Sequence, residues 1–183
     1  MLVAARHRIE GPPPPVRLSR FSGSPDTLNK MREQAWGARG EQSMVVRAMT
    51  EDVVSGIRAK DYLGEILAVR NFGITHLRYL NDPVHVELIK DPERIVEEIR
   101  SNGQALVDCD ESAEIIATMA MQLGRKAEFV VVGFSNPGDF SHVFARVMEP
   151  KSGEWIVCDT VAGSDERTML SRVSTYEIWS LDE

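Results

Sequence analysis

The pattern of apolar and polar positions changes character near residue 43. Before it, Gly11-Pro12-Pro13-Pro14-Pro15 imposes extended backbone, and Ser22-Gly23-Ser24-Pro25 and Trp36-Gly37-Ala38-Arg39-Gly40 interrupt any periodicity. Residues 1–42 therefore read as an extended, Pro-rich N-terminal arm with one short helix over Leu28–Trp36 and little core of its own. Residues 43–183 carry the pattern of one globular domain. Ser43–Met49 reads as a strand, and Thr50 with Glu51 and Asp52 behind it as a helix start. Val53, Val54, Ile57, Leu63, Ile66, Leu67 and Val69 then recur near helical spacing, as one helix broken between Gly56 and Gly64 or as two short ones, ended by Asn71-Phe72-Gly73. Ile74–Leu80 and Val84–Ile89 are short extended segments.

Two later helices announce themselves more sharply. Asp91-Pro92-Glu93 opens one with an Asp cap and a first-turn Pro, Ile95, Val96 and Ile99 supply its apolar side, and Gly103 stops it. In the next, Asp108 and Glu111 form a capping-box pair, and Ala113, Ile116, Ala117, Ala120 and Met121 make an apolar stripe up to Gly124. Phe129-Val130-Val131-Val132 reads as a buried strand. After the loop Ser135–Asp139, His142–Met148 and Gly153–Thr160 read as a hairpin around Glu149-Pro150-Lys151-Ser152, with one late strand around Val173–Trp179. The expected architecture is α+β, a helix packed on an antiparallel sheet.

Composition narrows the classes of function. A chain of 183 residues, 43% hydrophobic, has room for one sizeable core and an appended segment. Its 21 basic and 28 acidic side chains leave a net charge of −7, with no basic run to offset it, which argues against nucleic-acid or anionic-membrane partners. The opening Met1–Arg8 lacks the apolar stretch of a signal peptide or membrane anchor, so the expected location is the cytoplasm. Cys109 and Cys158 are the two cysteines, which is no disulfide framework, and a bond between them would consume one as a nucleophile. His76 and His85 flank an extended segment without a third ligand at metal spacing, so a zinc site is not expected. The Glu and Arg alternation over Glu93–Arg100 reads as a solvated helix face.

Cys109, His142 and Asp159 are the candidate chemistry. A thiol with an ordinary pKa near about 8.5 is mostly protonated at neutral pH, and a helix start favours its anion through unpaired N–H groups and the helix dipole. Asp108, Asp110 and Glu111 oppose that by like charge, so a neighbouring imidazolium would matter more than usual. Hairpin register brings the other two residues together. A four-residue loop over 149–152 sets His142 directly opposite Asp159, and a two-residue loop at Lys151-Ser152 makes them diagonal neighbours on one face; an odd loop separates them. On one face, Asp159 can accept from one ring nitrogen of His142 and leave the other for Cys109.

These elements, in this order, resemble the transglutaminase-like superfamily of papain-type thiol enzymes over roughly residues 50–162. The resemblance rests on Asp108-Cys109-Asp110-Glu111-Ser112-Ala113 opening a helix that closes at Leu123-Gly124, then Phe129–Val132, His142-Val143-Phe144, and Trp155–Asp159. Upstream, Arg78-Tyr79-Leu80-Asn81-Asp82-Pro83, Glu87-Leu88-Ile89 and Pro92-Glu93 are similar to phage and prophage members; Glu111 and Val107 stand where Asp and Gly are usual. The resemblance implies Cys109 as nucleophile, His142 as general base and acid, and Asp159 as orienter. Gln104 or Asn102 would supply an oxyanion amide beside the Cys109 N–H, with Trp155, Asp108 and Asp110 near the substrate cleft and Cys158 as packing. It further implies acyl transfer on a peptide or carboxamide, ending in hydrolysis or amine crosslinking, without a cofactor. The rival expectation is a phage virion or assembly protein that uses the fold as a docking scaffold, residues 1–40 reaching an identical subunit or another virion neighbour.

Overall fold

The structure, a computed structural model, describes residues 16–18, 25–82, 87–135, 140–160 and 166–181. The polyproline run, His7, His85 and residues 136–139 of the expected loop lie outside them. In chain order the described elements are β1 (Val16–Leu18), α1 (Pro25–Trp36), α2 (Met44–Val54), α3 (Tyr62–His76), β2 (Leu77–Tyr79), β3 (Glu87–Ile89), α4 (Pro92–Asn102) and β4 (Ala105–Val107). Then follow α5 (Cys109–Gln122), β5 (Ala127–Gly133), β6 (His142–Met148), β7 (Trp155–Cys158), α6 (Glu166–Ser171) and β8 (Thr175–Ser180). The class is α+β. An antiparallel sheet in the order β7-β6-β5-β8 carries the core, with a parallel pair β2-β4 and an antiparallel pair β1-β3 beside it.

α5 lies at the centre. Phe129 and Val131 of β5 and Val143, Ala145 and Val147 of β6 meet Ala113, Ile116, Ala117 and Ala120 of α5 in one continuous core. The expected one-sided stripe understates this helix: every residue from Cys109 to Met121 is buried, because α1, α2, α3 and α4 close on the sides the sheet leaves open. Val130, Val132 and Phe144 form a smaller cluster on the outer sheet face, under Met169 and Val173.

Several expectations change. Ser43–Met49 is not a strand; Ser43 is the N-cap of α2, its hydroxyl accepting from Val45 and Val46 N–H, and Thr50 sits inside that helix bonded to Gln122. The apolar spacing of residues 53–69 resolves into two helices. The second, capped by Asp61, runs past Gly73 to His76, because Gly73 is the point where α3 crosses α5 and not a stop. The helix expected within the arm starts earlier, at Pro25, and belongs to the core. Leu28, Met31 and Ala35 are buried, and Trp36 Nε1 donates to the Leu181 carbonyl at 2.9 Å.

The hairpin register shifts as well. Met148 pairs with Trp155 and Ala145 with Cys158, and Glu149 N–H donates to Glu154 O at 2.8 Å, so the loop is Pro150–Gly153, one residue later than a 149–152 loop. The Glu149 carboxylate explains the choice. It accepts the N–H groups of Lys151 and Ser152 across the turn, which draws its carboxyl below the ordinary range, and Gly153 closes the turn at φ 74°.

Candidate active site

Asp108 builds the local frame. Its extended backbone ends β4's run and its carboxylate accepts the N–H groups of Asp110 at 3.0 Å and Glu111 at 3.3 Å, while Glu111 Oε2 accepts from Asp108 N–H at 3.3 Å. This completed capping box makes Cys109 the first residue of α5 and leaves the Cys109 N–H as the first-turn donor outside the box.

The thiol itself is 6% exposed. It accepts the backbone N–H of Val143, the residue that follows His142, and donates to Asp110 Oδ1 at 3.5 Å. Burial pushes the Cys109 pKa well above its ordinary value, the charges of Asp110 and Asp108 push the same way, and the Val143 N–H opposes them. The helix start therefore does not win here, and the resting thiol is protonated at neutral pH.

His142 opens β6, and its Nε2 bonds to Asp159 Oδ2 at 2.8 Å. With the register shifted, Asp159 stands one pair beyond Cys158, diagonal to His142 on the same face, which is the arrangement expected of the two-residue loop. The ring is flanked by Phe134, with centroids 6.5 Å apart, and by Phe144 at 6.0 Å. Asp159 is 2% exposed. The next residue, Thr160, bonds through its hydroxyl to Ser112, one turn beyond Cys109 on α5, so the end of β7 is tied to the start of the thiol helix. Gly73 makes room for that tie: a Cβ there would lie 2.5 Å from Thr160 Cγ2 and 2.8 Å from Ile116 Cδ1.

The structure thus joins His142 to Asp159 and sets Cys109 against the main chain beside His142, although no hydrogen bond joins Cys109 Sγ to the imidazole. The remaining candidates separate. Gln104 and Asn102 line a cavity of about 570 Å³ with Leu80, Asn81, Lys90 and Glu111, and Cys109 is not among its lining residues. Trp155 lies at the far end of the hairpin from His142, roughly 20 Å along β6 at strand rise, under the Arg146 guanidinium at 4.6 Å. Asp108 and Asp110 are buried, the one serving the cap and the other the thiol. Cys158 is packed in the core, its thiol donating to Ile156 O at 3.6 Å. His76 Nδ1 bonds to the Gly103 carbonyl at 2.8 Å, tying α3 to the end of α4.

Three features were not singled out from sequence: Tyr79, the Ser112–Thr160 tie, and Glu114. Glu114 is wholly buried in α5, and neither carboxyl oxygen has a hydrogen-bond partner among the described residues; burial raises its pKa well above the carboxylate range, helped by Glu111, Asp91 and Asp110 and opposed by Lys30. Glu111 is raised to about 8 by burial despite Lys90, whose N–H donates to it at 2.9 Å. A Glu inside an apolar stripe is the one signal that could have marked Glu114. Among the described residues no cluster of three or more His, Cys, Asp or Glu side chains could hold a metal ion, and no helix is long and apolar enough to cross a membrane. No model of a known protein family matches the chain, and no curated protein sequence matches it either.

Proposed function

We propose that the protein is a thiol-dependent acyltransferase or hydrolase of the transglutaminase-like kind, acting on a peptide or protein carboxamide through Cys109, His142 and Asp159. The observation that carries the reading is the 2.8 Å His142–Asp159 bond at the start of the strand whose next N–H meets the Cys109 thiol. Asp159 holds Nε2, so Nδ1 is the nitrogen that takes the thiol proton as a substrate displaces the Asp110 contact. The thiolate adds to the carbonyl carbon, the tetrahedral adduct collapses to a thioester, and His142 returns the proton to the departing amine. Water or an amine then releases the acyl group. The test is acylation by p-nitrophenyl acetate, followed by mass spectrometry. Acetyl is expected on Cys109 ahead of Cys158, slowed on the order of 10²–10⁴-fold by His142→Ala. Equal slow acetylation of both cysteines overturns the reading.

A second reading has its own support. A protonated thiol, 6% exposed and bonded to Asp110, suits a fold kept as a virion or assembly scaffold without turnover. Under that reading the N-terminal region docks on a neighbouring subunit in the particle or host cytoplasm, and truncation before Pro25 blocks oligomer or particle incorporation while the domain stays folded. Assembly unchanged by truncation counts against it.

A further inference from the structure

If Cys109 forms an acyl adduct, the adduct's oxygen needs donors, and Gln104 and Asn102 line a cavity whose lining does not include Cys109. Tyr79 is better situated. It is the last residue of β2, paired in parallel register with Val107, two residues before Cys109, and the ladder continues with Leu80 N–H donating to Val107 O at 2.9 Å. Its side chain is 51% exposed, whereas Cys109 is 6% exposed. Its hydroxyl is already oriented: it donates to Asn81 Oδ1 at 2.9 Å, and that single bond is replaceable.

We infer that Tyr79 is a catalytic residue of this site, its hydroxyl donating, together with the Cys109 N–H, to the oxyanion formed on the acyl group bound to Cys109. The inference rests on the acyl-transfer reading above. In the step concerned, the Cys109 thiolate forms the C–S bond, the carbonyl π pair moves onto oxygen, and the two donors meet the negative charge. The pair then returns to re-form C=O as the leaving group departs with its bonding electrons and takes from His142 the proton that came from the thiol. The phenol is suited to donate rather than ionise. Burial raises its pKa, and the charges of Cys109, Asp108 and Asp110 add to the rise.

Two reagents separate this role from any other. Acetylation by p-nitrophenyl acetate passes through an oxyanion, whereas alkylation by iodoacetamide does not. Tyr79→Phe is expected to slow Cys109 acetylation about 10²-fold while leaving the alkylation rate and its pH dependence within about twofold of wild type. Asn81→Ala, which removes only the orienting acceptor, should give a smaller loss confined to acetylation. Equal slowing of both reactions by Tyr79→Phe overturns the inference, since the tyrosine would then act on the thiol. Unchanged acetylation overturns it too, with the acyl-transfer reading intact. Absence of any Cys109-dependent acetylation in the wild type removes that reading and the role of Tyr79 with it.

Discussion

At Cys109 four influences act on one thiol, and their outcome is measurable. The helix start and the Val143 N–H favour the anion; burial and the carboxylates of Asp110 and Asp108 favour the thiol, and the second group prevails. Alkylation of Cys109 by iodoacetamide is therefore expected to rise with pH through a midpoint above that of a free cysteine. Asp110→Asn, which removes the nearest charge, should lower that midpoint by on the order of one pH unit; a midpoint unmoved by the substitution refutes this ordering of effects. Glu114 presents the simpler case of a buried carboxyl group with no hydrogen-bond partner among the described residues. Glu114→Met fills similar volume without a polar atom and is expected to stabilise the domain at neutral pH by about 1–3 kcal/mol, read as a higher urea midpoint.

At the scale of elements, the site depends on two attachments. The capping box fixes where α5 begins, and so where Cys109 points; Asp108→Ala should cost about 1 kcal/mol of stability. The Ser112–Thr160 tie fixes the end of β7 against α5 and depends on the bare backbone of Gly73. Gly73→Ala forces a Cβ into Thr160 and Ile116, with an expected cost of about 1–3 kcal/mol and a weakened His142–Asp159 bond, seen as a changed imidazole proton resonance. These two elements differed in how plainly the chain announced them. The box is local, written in residues three apart, and the spacing of Asp108 and Glu111 predicted it correctly. Gly73 is a long-range requirement: within its own helix it looks like a terminator, and only the crossing with α5 explains why nothing larger fits. The strand expected over residues 43–49 failed for the opposite reason, because Ser43 acts as a helix cap and the β-branched residues after it pack helically against α4 and α5.

For the molecule as a whole, burying α5 on all sides places Glu111 and Glu114 where only their neutral forms are comfortable. Glu111 titrates near 4.5 when unfolded and near about 8 when folded, so below the lower value both states are protonated and no stability is lost. As pH rises from about 4.5 to about 8 the unfolded chain releases its proton first, and stability falls by up to about 1.4 kcal/mol per pH unit for this group. The urea midpoint should accordingly decline across that window, and Glu111→Gln, which keeps the capping geometry, should flatten the decline; a midpoint independent of pH rules the account out. The sequence alone was sufficient for the mixed helix and sheet class, the limits of α4 and α5, and the strand β5, while it made a shared face for His142 and Asp159 conditional on an even loop. Those follow from short-range rules: caps, period-two alternation and turn parity. What it could not settle was the hairpin register, set by the Glu149 carboxylate, and the inclusion of α1 in the core. Nor could it foresee that closing four helices around α5 would bury Cys109 deeply enough to protonate it, because solvent exclusion is a property of the assembled layers and no stretch of chain carries it.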